Sequence, residues 1–163
     1  MSIIFVINVN ASEKEDLLKG VILERISQFI TYKDDSDDFL LCVYKNKDMT
    51  DTFKDLFKTR KYKGQSIQIK SLHSLDELDG CDIFYAEDIK SSLKRKLLSK
   101  KQDYTLLITN DVELLDDGFM LALYLQNNKI RFAINHGALL DAKLKINYRL
   151  LKVASKVVNQ VKN

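Results

Sequence analysis

A tight hairpin constrains this chain more than any other local pattern. From Phe119 to Asn135, alternating apolar positions flank Asn127-Asn128, a pair that tolerates the positive φ values of a two-residue turn. Pairing Gln126 with Lys129 sets Leu125 opposite Ile130, Leu123 opposite Phe132 and Leu121 opposite Ile134, so one face is wholly apolar. The other face carries Tyr124 opposite Arg131 and Met120 opposite Asn135. A slip of one residue would mix the two faces, so the pattern fixes the register.

Upstream, strand and helix patterns alternate. Ser12 and Glu15 form a capping box, and Leu18, Ile22, Ile26, Phe29 and Ile30 follow at helical spacing to about Tyr32. The acidic stretch Asp34–Asp38 breaks that helix, and Phe39–Tyr44 reads as a compact strand. A helix through Phe53, Leu56 and Phe57 takes Asp48 or Thr50 as its N-cap. Gly64 precedes the strand Ser66–Lys70, and Gly80 precedes Cys81–Tyr85. A basic helix over about Ile89–Lys101 and the apolar strand Tyr104–Thr109 follow. Beyond the hairpin, Leu150, Leu151, Ala154, Val157, Val158 and Val161 form one stripe, which predicts a terminal amphipathic helix docked on the sheet. Such alternation argues for a sheet with helices packed on its faces.

The chain has 163 residues, no proline and no low-complexity linker, which fits one domain. Its formal charge of +3 is too mild for a dedicated nucleic-acid binder. Lys90, Lys94, Arg95, Lys96, Lys100 and Lys101 read as a solvated helix face. No stretch approaches the roughly 20 apolar residues of a membrane span. Residues 1–11 are a short apolar run ending Val9-Asn10-Ala11, with small residues where a signal peptidase requires them but no basic leader. They read either as the tail of an export signal or as the first strand of a cytosolic sheet.

Little in the sequence supports catalysis. No two glycines stand closer than sixteen positions apart, which excludes the phosphate-cradling loops. His73 and His136 have no spaced ligand partners, and no nucleophile motif is present, so neither a metal nor a cofactor is expected. The acidic turn at Asp34–Asp38 lacks the glycine and distal glutamate of a calcium loop. Cys42 and Cys81 stand 39 positions apart on two strand segments, which an α/β sheet could bring within disulfide reach on neighbouring elements. In the cytosol they would be buried thiols, and in an oxidising compartment a bridge.

The segments Leu106–Asn110, Gly118–Met120, Lys129–Asn135, Ala142–Leu144 and Ile146–Ala154 together resemble the C-terminal signature of the YfiR/HmsC family. Leu18–Gly20, Phe39–Cys42, Gly64–Ile67 and Gly80–Phe84 resemble its upstream helix and strands. The chain departs from the family at Tyr32-Lys33, where a Trp-Pro pair is usual, and at Asp117-Gly118, where a double glycine is common.

The resemblance implies residues 1–11 as the remnant of a signal peptide and 12–163 as a single YfiR-like α/β domain with helices on both faces in Rossmann-like layers. It implies a disulfide between Cys42 and Cys81, and a non-enzymatic periplasmic protein that binds a membrane diguanylate cyclase and represses cyclic di-GMP signalling and biofilm formation. No nucleic acid and no direct membrane insertion are expected, and a homodimer stays open. Candidate contact residues are Lys19 and Arg25 on the first helix and Tyr124 and Arg131 on the hairpin, with Asn135 as a structural corner. Rival readings are a small-ligand sensor partnered with a membrane histidine kinase and a cytosolic nucleotide-handling enzyme.

Overall fold

The computed structural model describes residues 11–33 and 38–159. Residues 1–10 of the expected leader (1–11), the middle of the acidic turn (34–37) and Val161 lie outside the described residues, and Ala11 is the first residue of a helix.

The parallel strands are β2 (Phe39–Tyr44), β4 (Gln65–Leu72), β5 (Ile83–Tyr85), β6 (Leu106–Thr109) and β7 (Leu121–Gln126). The short β3 (Lys61–Tyr62), the hairpin partner β8 (Lys129–Asn135) and the edge strand β10 (Lys156–Val158) complete one sheet in the order β10-β8-β7-β6-β5-β2-β4-β3. A separate antiparallel pair joins β1 (Ile30–Thr31) to β9 (Lys145–Ile146). Every residue of β5 and β6 is buried, which is why these segments read as continuous apolar runs rather than alternating ones.

The helices are α1 (Ala11–Ser27), α2 (Lys47–Leu56), α3 (Ser91–Ser99), α4 (His136–Asp141) and α5 (Tyr148–Val153). The β2-α2-β4 unit runs one way from β2 and the β5-α3-β6 unit the other. Right-handed crossovers in opposite directions put α2 and α3 on opposite faces. The N-cap of α2 is Asn46, whose side chain accepts from the Met49 backbone N–H at 3.0 Å, so neither Asp48 nor Thr50, the two expected caps, takes that place. Lys94 of α3 pairs with Asp117, and Lys100 just after it with Asp76, so part of that basic run tethers the helix.

The hairpin has the predicted register at all six pairs from Leu121–Ile134 to Gln126–Lys129. Asn127 and Asn128 take φ values of 50° and 59°, the left-handed conformation such a turn requires. Burial divides the ribbon by depth rather than by face. Leu121 and Leu123 are in the core and Leu125 is exposed at the tip, while Met120 and Asn135, assigned to the polar face, are fully buried.

Two elements differ from expectation. Leu18 was predicted to face the core, yet it is 45% exposed, and the buried stripe of α1 is Asp16, Lys19, Gly20, Leu23, Ile26 and Ser27. Gly20 explains the rotation. A Cβ there would stand 2.5 Å from Leu56 Cδ2 and 3.0 Å from Phe53 Cε1, so the glycine marks the closest approach of α1 to α2. The terminal amphipathic helix is also shorter than predicted. It ends at Val153, and Lys156–Val158 instead pairs in parallel with Ala133–Asn135 of β8. Backbone groups on the free edge of β8 are satisfied by that added strand.

Candidate functional site

In a doubly wound sheet, ligands bind beyond the carboxyl ends of the strands where the order reverses, here between β2 and β5. Lys45 and Asp88, the residues just past these ends, both take positive φ and turn the chain outward. Asp88 is held by Asn110, whose Oδ1 accepts from the Asp88 N–H at 3.1 Å and whose amide donates to Asp88 Oδ1 at 3.2 Å. Lys45, Asn46, Asp48, Glu87 and Asp88 line a cleft of about 320 Å³ at this point.

A buried charge cluster lies alongside. Lys19, only 3% exposed, donates through Nζ to Glu15 and to Glu87, each at 2.7 Å. Burial works against its charge, but the two carboxylate hydrogen bonds prevail and raise its pKa. The Tyr85 hydroxyl donates to the same Glu87 oxygen at 2.9 Å, and burial first, then the nearby carboxylates, raises its pKa well above the usual tyrosine value. Asp16 stands beside this group. Burial, and then the charge of Glu87, pushes its carboxyl up to about 6, against the attraction of Lys19.

Asp16 opens in turn onto a second cleft, of about 350 Å³, between the start of α1 and the outer side of α2. Glu13, Asp48, Asp51 and Asp55 line it as well. Lys47 pairs with Asp51 and Lys58 with Asp55 on the rim. Among the described residues no group of three or more His, Cys, Asp or Glu side chains is arranged to hold a metal ion.

The residues picked out in the sequence fall in separate places. Cys42 of β2 and Cys81, two residues before β5, are joined by a disulfide with Cα atoms 5.9 Å apart. Both cysteines are buried, and Thr105 Oγ1 donates to the Cys81 carbonyl at 2.7 Å. Asn135 caps α4 by accepting from the Ala138 N–H at 3.0 Å and donates to the Leu115 carbonyl at 2.7 Å. Lys19 was expected on an exposed helix face and is instead buried in ion pairs, because α1 turns that side toward α2 and Glu87. Arg25 is exposed, and its guanidinium makes no hydrogen bond or ion pair among the described residues. Tyr124 is half-buried, with its hydroxyl 2.6 Å from Ser155 Oγ, while Arg131 opposite it is exposed. Tyr124 therefore ties the hairpin to the segment leading into β10.

Sequence reasoning missed Asp16 and Glu87, and gave Glu15 a place in a capping box, whereas α1 already begins at Ala11 and Glu15 pairs with Lys19. The signal that identifies Asp16 is Gly20: a glycine inside a helix marks a close packing face, and positions 16, 19, 20, 23, 26 and 27 share it. Nothing in the sequence points to Glu87, which comes from the far end of a strand 68 residues after Lys19.

Fold and site together define a single-domain α/β protein with a doubly wound strand order and a polar crevice at its switch point. The chain belongs to the YfiR/HmsC-like family, whose model matches residues 16–155. Among solved structures it resembles one described as the ABC domain in complex with L-Trp from Streptococcus pneumonia, with a TM-score of 0.56 and 10% identity. That likeness covers 83% of this chain and 59% of the other, and it is a likeness of fold alone. No curated protein matches the chain.

Proposed function

We propose that this chain is a non-enzymatic periplasmic regulator that binds the periplasmic part of an inner-membrane diguanylate cyclase and holds down cyclic di-GMP synthesis. The family match over residues 16–155 carries this reading. The Cys42–Cys81 bond supports it, because disulfides persist in oxidising compartments and are rare in the cytosol. It also counts against a cytosolic nucleotide-handling enzyme, which would keep both thiols reduced. Among the described residues no helix is long and apolar enough to cross a membrane. Repression is then a population shift, in which a partner with higher affinity for the inactive receptor conformation biases the equilibrium by that difference.

A small-ligand sensor partnered with a membrane histidine kinase is the second reading. The polar clefts beside Asp16 and Glu87 favour it, since such a sensor needs a site lined by polar groups. Cyclic di-GMP measured in cells that carry the cyclase, with and without this chain, separates the two. A rise of several-fold on deletion supports the cyclase partner, and an unchanged level contradicts it.

A further inference from the structure

We infer that the outer edge of β4 is a docking site for an extended acidic segment of a partner protein, which adds to the sheet as a further strand beside Ile67, Ile69 and Ser71. The inference is independent of the receptor proposed above.

In a parallel ladder the N–H and C=O of one residue point to the same neighbouring strand, and those of the next residue point away from it. The Lys45 N–H donates to the Leu72 carbonyl at 3.0 Å, so Leu72, Lys70 and Gln68 turn their backbone groups toward β2. Ser71, Ile69 and Ile67 therefore turn theirs outward. On that side β3 reaches only Gln65 and Ser66. The outward N–H and C=O groups of Ile67, Ile69 and Ser71 thus have no backbone partner among the described residues. Natural sheets commonly blunt such an edge, and the opposite end of this one is closed by the three-residue β10. The edge of β4 has no such cover.

Beside this open edge runs a groove of about 400 Å³, between β4 and the C-terminal end of α2. Its floor is apolar, with Phe57 and Ile67 buried and Ile69 half-buried. Lys54, Lys58, Arg60 and Lys61 stand around it, and among the described residues no carboxylate lines it. Lys58 is paired with Asp55 and Arg60 with Glu24. Lys54 and Lys61 are exposed, and their ammonium groups make no hydrogen bond or ion pair among the described residues. A strand paired with the edge presents every second side chain to the face that Ile67 and Ile69 share. The segment that fits has apolar side chains on that face, flanked by carboxylates that reach Lys54 and Lys61. A second copy of this chain fits poorly, because pairing β4 with itself about a twofold axis sets two basic grooves side by side.

The test is titration of the full oxidised chain with the blocked peptide acetyl-Asp-Thr-Val-Thr-Val-Thr-Asp-amide, read by calorimetry and by amide hydrogen exchange. In an extended conformation the two valines and both aspartates of this peptide share one face. Saturable binding is expected, with slowed exchange at Ile67, Ile69 and Ser71 and binding weakened at least about tenfold in Lys54→Glu and in Lys61→Glu. Replacing both aspartates of the peptide by lysine should abolish binding. N-methylation of every second peptide nitrogen should abolish it in one phase and spare it in the other, because only one set of N–H groups faces β4. No saturable binding overturns the inference. So does equal binding of the two N-methylated isomers, which leaves charge attraction alone. Slow exchange at Ile69 in the free chain overturns it as well: dependence on concentration assigns the edge to a second copy, and independence assigns it to another part of this chain.

Discussion

At the scale of single residues, Asp16 and Asn135 show what a buried polar group requires. Asn135 is fully buried with both ends of its amide engaged, one on the α4 N-terminus and one on the Leu115 carbonyl, and its place in the Ile-Asn corner was readable from the sequence. Asp16 is largely covered by its neighbours but its carboxylate opens on the cleft between α1 and α2, and it was not readable, because a charged residue on a helix is ordinarily taken for surface. Its effect on stability depends on pH. The folded-state pKa of about 6 lies above the ordinary aspartate value, so the stabilisation it contributes is present below that ordinary value and is lost as pH rises through the folded one. Asp16→Asn should therefore raise unfolding stability by about 1 kcal/mol near pH 7.5, a figure discounted for screening by solvent in the open cleft. Near pH 4 the variant and the parent should match. Urea unfolding at the two pH values measures the difference, and a destabilised variant near neutral pH contradicts the assignment.

At the scale of elements, the hairpin and β2 were legible to the residue because each has one decisive local signal. For the hairpin it is a turn pair flanked by strict alternation, and for β2 a six-residue apolar run between polar ends. The end of the chain was misread because the same apolar positions fit two periods. Leu150 to Val158 satisfies a helical stripe, but Val157 and Val158 are β-branched and the edge of β8 stands open to receive them. The face of α1 was misread for a related reason: Leu17 and Leu18 outweigh Gly20 in any count of apolar residues, yet the glycine decides which side packs. The Cys42–Cys81 bond ties β2 to the lead-in of β5, across the same strand pair whose far ends frame the switch-point cleft. In the chain-entropy model a loop closed over 39 positions stabilises the fold by about 4 kcal/mol. The double variant Cys42→Ala, Cys81→Ala should lose most of that in a denaturant titration. A change below about 1 kcal/mol would show that the bridge constrains little.

At the scale of the whole molecule, net charge concealed the site. A formal +3 spread over many lysines gave no hint that two helix starts meet in a negative cleft. The lysines of α3 lie elsewhere in the fold, and those at the rim are paired, so local charge opposes the global sign. The order of strands supplied what composition did not, by placing the ends of β2 and β5 at the reversal point, with α1 packed close enough to bring Lys19 to Glu87. Regulation by contact places its demand on surfaces rather than on reactive groups, and Arg25 and Arg131 remain proposed contact residues because both are exposed. The most direct measurement is equilibrium binding between the oxidised chain and the isolated periplasmic part of the diguanylate cyclase found in the same cells. The account predicts a saturable complex that is weakened by charge reversal at Arg25 or Arg131. Absence of a complex at micromolar concentrations, with the Cys42–Cys81 bond intact, would contradict it.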